Sequence, residues 1–313
     1  MKKILFIIDS LGPGGSQRRL VNLSVLLKDE GYNISVLVYG DNSFYEPFLI
    51  EHRINVHKIN RKNNFQLIFA VKKFISVYSP DVVISFLETP NFIVGLCKMM
   101  CPSSRWKYIS TESSAKSSTF TSRRNKIFNK VERMSYTKVC NSNHAKVMWT
   151  KHYPQYKKKI IVIYNPVIAN NKDANYTYLK DGKCHIVVAA SYQELKNPIG
   201  LVNALNLLST DELSKIRIEW YGSKETDAKS REIFTITSEL IDKYNLNDVI
   251  RLHQETKEIH SIMEKADLVG LFSKVEGLPN SICEAMMLGK PVIMTKVSDY
   301  KILIEDNGFL CDI

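Results

Sequence analysis

Glu276 and Glu284, separated by seven residues in the stretch EGLPNSICE, are the side chains of this sequence whose types and spacing point most directly to chemistry. Around them a strand ends near Phe272, a loop turns through Gly277, Leu278 and Pro279, a short helix follows, and a new strand starts at Val292. The helix carries Ile282, Ala285, Met286 and Gly289 at core-facing spacing, which leaves Glu284 off the apolar stripe. If the intervening stretch is largely helical, the two glutamates stand on the order of 10 Å apart. A nucleotide sugar has hydroxyl-rich groups at both ends and a doubly negative diphosphate in the middle. Carboxylates suit the ends, because each accepts hydrogen bonds from neighbouring hydroxyls. The helix N-terminus near Asn280 and Ser281 suits the diphosphate. A structural role is equally open at this point, with Glu276 complementing the helix dipole and Glu284 pairing with Lys290 or Lys296.

Three other constellations accompany the pair. Lys196, in Glu194-Leu195-Lys196-Asn197-Pro198, follows a strand, and Pro198 suits a first helical turn. An ammonium there aims at an anion beyond the strand end, or is simply solvated. The loop Leu11-Gly12-Pro13-Gly14-Gly15-Ser16 lets backbone approach a bulky anion ahead of a helix N-terminus, or is a plain tight turn. It lacks the third glycine of a dinucleotide fingerprint, which disfavours an oxidoreductase. Glu112, within Ser110-Thr111-Glu112-Ser113-Ser114, is a candidate to bind or activate a sugar hydroxyl, and such loops are also commonly just solvated. Cys140 and His144 have a loosely ligand-like spacing, but two ligands do not hold a structural zinc.

Such groups need strands that end where the loops begin. Short β-branched runs recur before segments of helical period: Ile4 to Asp9, Ile34 to Tyr39, Val82 to Phe86, Tyr108 to Thr111, Val139 to Ser142 and Ile160 to Tyr164. This alternation predicts parallel sheet built from βαβ units. After Asn165-Pro166 the chain turns polar through Asn170, Asn171, Lys172, Asp173, Ala174 and Asn175, a linker by composition. The pattern restarts with His185 to Ala190, Ile218 to Tyr221, Val249 to Leu252, Leu268 to Phe272, Val292 to Thr295 and Phe309 to Cys311. Two facing, doubly wound, Rossmann-like α/β domains are expected, 1–168 and 184–313, joined by a linker at 169–183. A ligand shared by both is expected in the cleft between them.

A chain of 313 residues with 44% hydrophobic and 24% charged residues excludes disordered and fibrous classes. Its apolar runs fall far short of the roughly 20 residues that span a bilayer. Asp9 interrupts the apolar start, which reads as a core strand rather than a signal peptide. Six scattered cysteines without a C-x-x-C pair fit a reduced cytoplasm.

The segment EGLPNSICEAMMLGKPVI resembles the large retaining glycosyltransferase family 4, of GT-B fold. Supporting marks follow in order: Gly14-Gly15 after the first strand, Tyr164-Asn165-Pro166-Val167 at the domain junction, Leu195-Lys196-Asn197-Pro198, Tyr221-Gly222, and Asp306-Asn307-Gly308-Phe309-Leu310. The resemblance implies that Glu276 holds the transferred sugar and Glu284 the ribose hydroxyls. The backbone of Gly277, Leu278, Pro279 and Asn280, with Ser281, would lie along sugar and phosphate. Lys196 would neutralise the diphosphate and assist its departure, and Gly14 and Gly15 would sit under the donor from the other domain. The family commonly has an arginine five residues before the lysine; here that donor-site position is Ser191, and Arg18 is an alternative source of charge. Relatives continue past the position of Ile313 through closing C-terminal helices, so either the second domain is truncated here or the gene product is short.

The implied activity is retaining transfer of a hexosyl or N-acetylhexosaminyl group from a UDP-sugar, or else a GDP-sugar, without metal or cofactor. The expected acceptor is a hydroxyl of a growing, lipid-linked surface glycan of capsule, O-antigen or exopolysaccharide type. A donor-binding protein of the same fold with weak or no turnover is the alternative. The net charge of +11 favours anionic partners. Arg123, Arg124, Lys126, Lys130, Arg133 and Lys138 surround Ile127, Phe128, Val131 and Met134 at helical spacing. They predict a basic amphipathic helix resting on the anionic cytoplasmic leaflet, or a solvated face over a packed one. No recognised motif for nucleic acid accompanies the charge.

Overall fold

Every strand pair of the two sheets is parallel among the described residues, because each strand feeds a helix before the next begins. The computed structural model describes residues 1–60, 63–113, 118–168 and 181–313, and the chain divides into the units Met1–Pro166 and Val167–Ile313. The expected linker 169–183 lies mostly outside the described residues, including all of Asn170 to Asn175; Ser114 also lies outside them.

The first unit runs β1 (Lys3–Ile7), α1 (Gly15–Asp29), β2 (Asn33–Val38), α2 (Glu46–Glu51), β3 (Asn55–Lys58), α3 (Asn64–Tyr78), β4 (Val82–Ser85), α4 (Glu88–Met100), β5 (Lys107–Glu112), α5 (Ser118–Thr121), α6 (Arg123–Val131), β6 (Thr137–Cys140), α7 (Asn143–His152), β7 (Ile160–Val162). Its strand order is β3-β2-β1-β4-β5-β6-β7. Right-handed crossovers then put α1 and α2 on one face and α3, α4, α6 and α7 on the other. Leu67, Val71 and Ile75 of α3 and Ile93 and Val94 of α4 close over Leu5, Ile7, Leu37 and Val83. Helix α3 starts where Asn63 Oδ1 accepts from Gln66 N at 2.9 Å, and stops at Ser79, which is left-handed and followed by Pro80.

The second unit runs β8 (Cys184–Ala189), α8 (Pro198–Leu205), α9 (Thr210–Ser214), β9 (Ile216–Tyr221), α10 (Ser230–Lys243), β10 (Ile250–His253), α11 (Ile259–Lys265), β11 (Leu268–Leu271), α12 (Asn280–Met287), β12 (Val292–Thr295), α13 (Tyr300–Leu303), β13 (Gly308–Cys311), in the order β10-β9-β8-β11-β12-β13. Leu201, Val202 and Leu205 of α8 and Ile282 and Ala285 of α12 share its core with Val188, Trp220 and Val269.

One strand end is corrected, and one strand went unanticipated. Strand β6 ends at Cys140 rather than Ser142, because Ser142 caps α7 by accepting from Ala145 N at 3.1 Å. Strand β3, four residues at the sheet edge, has no apolar run to announce it.

The basic segment forms the expected helix with Arg123, Arg124, Lys126 and Lys130 exposed, and only the make-up of its packed side is corrected. The inward side of α6 and the turn after it is polar, with Asn125, Asn129 and Glu132 buried, while Ile127 is 60% exposed. Asn129 Nδ2 donates to Thr119 O at 2.9 Å, and the main-chain carbonyl of Asn129 accepts from the Tyr156 hydroxyl at 2.5 Å. Phe128 stacks on Phe92 of α4 at 4.0 Å. Gly95 permits this approach, since a Cβ there would come within 2.7 Å of Val131 Cγ1. Lys138 belongs to β6, not to the helix, and is fully buried against Glu132, 3.9 Å from the Trp149 ring centre.

Removing one member of a buried ion pair strands the other. Lys138→Met is expected to cost about 3–5 kcal/mol, and adding Glu132→Leu to recover most of the loss. Denaturant unfolding followed by tryptophan fluorescence measures both; simple additivity of the two losses would contradict the pairing.

Candidate functional site

Strand order in the second sheet reverses between β8 and β11, and the loops leaving the carboxyl ends of these two neighbours build the site. After β8 the buried Ala190 and Tyr192 lead into a short 3-10 helix, Glu194–Lys196. The Tyr192 hydroxyl lies 3.0 Å from Trp220 O and 2.8 Å from His253 O, anchoring this loop to β9 and β10. Gly222, just past β9, has no alternative, because a Cβ there would meet Ala190 O at 1.9 Å. Asn197 takes a left-handed conformation and Pro198 opens α8, so the chain reverses with Lys196 at the bend.

The loop after β11 is tied to this bend by Lys274 N, which donates to Leu195 O at 2.8 Å. Its first residues are fixed from below, where Thr295 Oγ1 of β12 donates to Ser273 O at 2.6 Å. The Ser273 hydroxyl donates to Glu276 Oε1 at 2.6 Å, and Lys196 Nζ stands 2.5 Å from the same oxygen. Lys196 and Glu276 side chains are 20% and 10% exposed, so the pair borders solvent rather than the core. Gly277, Leu278 and Pro279 are buried, and Gly277 O accepts from the Ser298 hydroxyl.

Helix α12 begins at Asn280 with no side-chain hydrogen bond from the capping position Pro279 and no acidic residue in its first turn. Glu284 follows in the second turn, 4% exposed, with Oε2 at 3.3 Å from His260 Nε2 of α11. The two glutamates are thus joined by loop through Pro279 and by helix only from Asn280. Gly289 is corrected from a core-facing position: it is exposed with φ 68°, just past the helix end. Lys290 donates to Ala266 O at 2.9 Å, and Lys296 pairs with Asp312 at 2.8 Å.

Ser191 is half-buried and its hydroxyl meets Gln193 Oε1 at 3.2 Å, an arrangement without positive charge. His260 and Ser273 were absent from the sequence expectations. His260 reaches its partner across 24 residues, a distance at which spacing carries no signal.

In the first unit, α1 starts at Gly15 with Gly14 before it, again without a side-chain cap, and Gly14 N donates to Gly12 O at 2.8 Å. Glu112 is corrected from a loop base. It ends β5 at 8% exposure; Oε2 accepts from Trp149 Nε1 at 2.9 Å and Oε1 from Ser113 N at 3.1 Å. Both oxygens are engaged inside the unit, and Ser110 and Thr111 are buried in the strand. Burial pulls neighbouring Arg19 down to about 10, partly offset by Cys140 and Glu112. Among the described residues no three His, Cys, Asp or Glu side chains converge on a metal-binding arrangement.

Residues 13–170 match the family model Glycosyltransferase Family 4, and residues 166–313 the model Glycosyl transferases group 1. The chain is 26% identical over 326 residues to the GalNAc-alpha-(1->4)-GalNAc-alpha-(1->3)-diNAcBac-PP-undecaprenol alpha-1,4-N-acetyl-D-galactosaminyltransferase of Campylobacter jejuni, covering 98% of this chain and 83% of that one. A glycosyltransferase of Haemophilus influenzae is 24% identical over 334 residues, covering 100% and 86%. Among solved structures, HepE of Anabaena in complex with UDP-glucose aligns with a TM-score of 0.83 at 19% identity, over 100% of this chain and 86% of that one. WaaG, a glycosyltransferase involved in lipopolysaccharide biosynthesis, aligns with a TM-score of 0.71 at 15% identity, over 99% and 86%. At these identities the structures establish the fold, the two parallel-sheet α/β domains of the GT-B class.

Cys283, between Glu276 and Glu284, is a free cysteine of intermediate exposure. Burial, followed by the Glu284 charge, pushes its thiol up to about 11. At pH 8 only about one Cys283 thiol in a thousand is then ionised, so iodoacetamide is expected to spare it in the folded protein and modify it after unfolding. Peptide mass spectrometry reads the difference; rapid labelling of the folded chain would contradict the raised thiol.

Proposed function

The chain belongs to glycosyltransferase family 4, and we propose that it moves a sugar from a nucleotide diphosphate sugar to a hydroxyl of a growing surface glycan, with retention of configuration. The observation that carries this reading is the Lys196–Glu276 pair at the ends of adjacent strands, beside the uncapped start of α12. In the proposed complex Lys196 turns its ammonium to the diphosphate and stabilises charge as that group leaves. Glu276, released from the lysine and still held by Ser273, takes hydroxyls of the transferred sugar. Glu284, steadied by His260, takes the ribose hydroxyls. Backbone from Gly277 to Asn280 and the first turn at Ser281 line the path between them. No protein nucleophile, metal or cofactor enters the proposed reaction.

UDP is the proposed nucleotide, supported by the UDP-glucose bound to HepE. A lipid-linked acceptor is supported by the undecaprenol-linked glycan in the name of the Campylobacter relative. Such an acceptor would hold the enzyme at the inner membrane face, and among the described residues no helix is long and apolar enough to cross a membrane. A donor-binding protein without turnover is the second reading, favoured by the uncharged Ser191 where the family commonly has arginine.

A thermal-shift panel of nucleotide sugars tests the reading. The true donor at about 100 times its Kd adds roughly 2.7 kcal/mol of stability. Glu276→Ala should abolish transfer while the folded Glu276→Gln serves as control; full activity in Glu276→Ala sinks the site. Donor protection without even slow donor hydrolysis favours the second reading. His260→Ala should raise the donor KM about fivefold with kcat nearly unchanged, and His260→Gln should restore it. A fall in kcat at constant KM would remove His260 from donor positioning.

A further inference from the structure

The positive charge of the chain is concentrated in one stretch. Residues 52–168 carry 21 Lys and Arg against four Asp and Glu, whereas residues 169–313 carry 17 against 22. Two of the four acids, Glu112 and Glu132, are buried, which leaves Asp81 and Glu88 as the stretch's own carboxylates against its exposed cations. Helices α3, α4 and α6, in contact side by side on one face of the first sheet, present exposed Lys73, Arg123, Lys126 and Lys130 outward.

Apolar groups stand among these charges. Helix α3 already buries Leu67, Val71 and Ile75 inward, yet its outer side carries Phe65 (78% exposed), Phe69 (60%) and Val77 (78%), at four- and eight-residue spacings. Ile127 of α6 and Met99 and Met100 at the end of α4 extend this exposed set. Isolated exposed hydrophobics are ordinary, but a set on one helix layer with a one-signed charge field is not. Aromatic rings, aliphatic side chains and cations together match the boundary of an anionic bilayer, where rings enter the headgroup level and lysines meet lipid phosphates.

We propose that the outer side of the α3–α4–α6 layer docks on anionic membrane, with Phe65 and Phe69 entering the headgroup boundary. This deepens the membrane contact of the proposed function and relocates its apolar part from α6 to α3. Lys196, Glu276 and Glu284, which carry the donor reading, lie in the other unit, and donor binding is measured separately.

Full-length protein is partitioned onto vesicles of phosphatidylcholine with about 30 mol% phosphatidylglycerol and onto pure phosphatidylcholine. Binding on the order of tenfold tighter to the anionic vesicles, weakening as salt rises, is expected. Phe65→Ser/Phe69→Ser should weaken it by about tenfold, and Lys73→Glu/Lys126→Glu/Lys130→Glu by at least as much, with melting temperature and protection by UDP-sugar retained. Equal partitioning to both vesicle types, or undiminished partitioning of the phenylalanine variant, overturns the proposal. So does tighter binding to poly(U) than to anionic vesicles, which would assign the face to nucleic acid. Loss of UDP-sugar protection in wild type, with vesicle binding intact, would overturn the donor reading and leave the docking surface standing.

Discussion

A lysine and a glutamate eighty residues apart meet at 2.5 Å because β8 and β11 lie side by side. Much of the candidate site follows from that adjacency. The Leu195–Lys274 backbone bond aligns the two loops, Ser273 turns its hydroxyl to the same carboxylate, and the chain then enters α12 with its start at the strand ends. A pair at the edge of solvent attracts more strongly than one in open water, yet is not sealed against a ligand. Its partners can be exchanged for those of a substrate without leaving a charge stranded in the core.

The buried Lys138–Glu132 pair illustrates the opposite regime. Its side chains are 1% and 2% exposed and lie against Trp149, so no ligand can compete for either partner. Glu112 sits in the same surroundings, with Trp149 on one oxygen and Ser113 on the other. Residue types alone do not separate these glutamates from Glu276. The depth of each, set by the packing of whole elements, does so, because desolvation demands fixed partners in the core and tolerates exchangeable ones at the edge.

The helix α6 shows why a periodic pattern can mislead. Its apolar residues recur at helical spacing, but its buried side is Asn125 and Asn129, continued by Glu132; the surroundings offer the Asn129 amide the Thr119 carbonyl and the Tyr153 hydroxyl, and Glu132 a lysine. A polar side chain with partners waiting is as buriable as an apolar one. The apolar surplus instead faces outward on α3, where Phe65 and Phe69 have no place in a core already filled by Leu67, Val71 and Ile75.

By itself the sequence determined the alternation of apolar strand and helix, hence parallel sheets, and the segment Glu276 to Glu284 as the stretch where a loop meets a helix start. Those features are local, written in spacing and in turn residues within a few positions of one another. Tertiary structure alone decided that Lys196 faces Glu276, that His260 faces Glu284, that Glu112 and Lys138 are sealed in, and which helix side is bare. These outcomes depend on strand order and on which surfaces meet, contacts between residues tens of positions apart that no local pattern encodes.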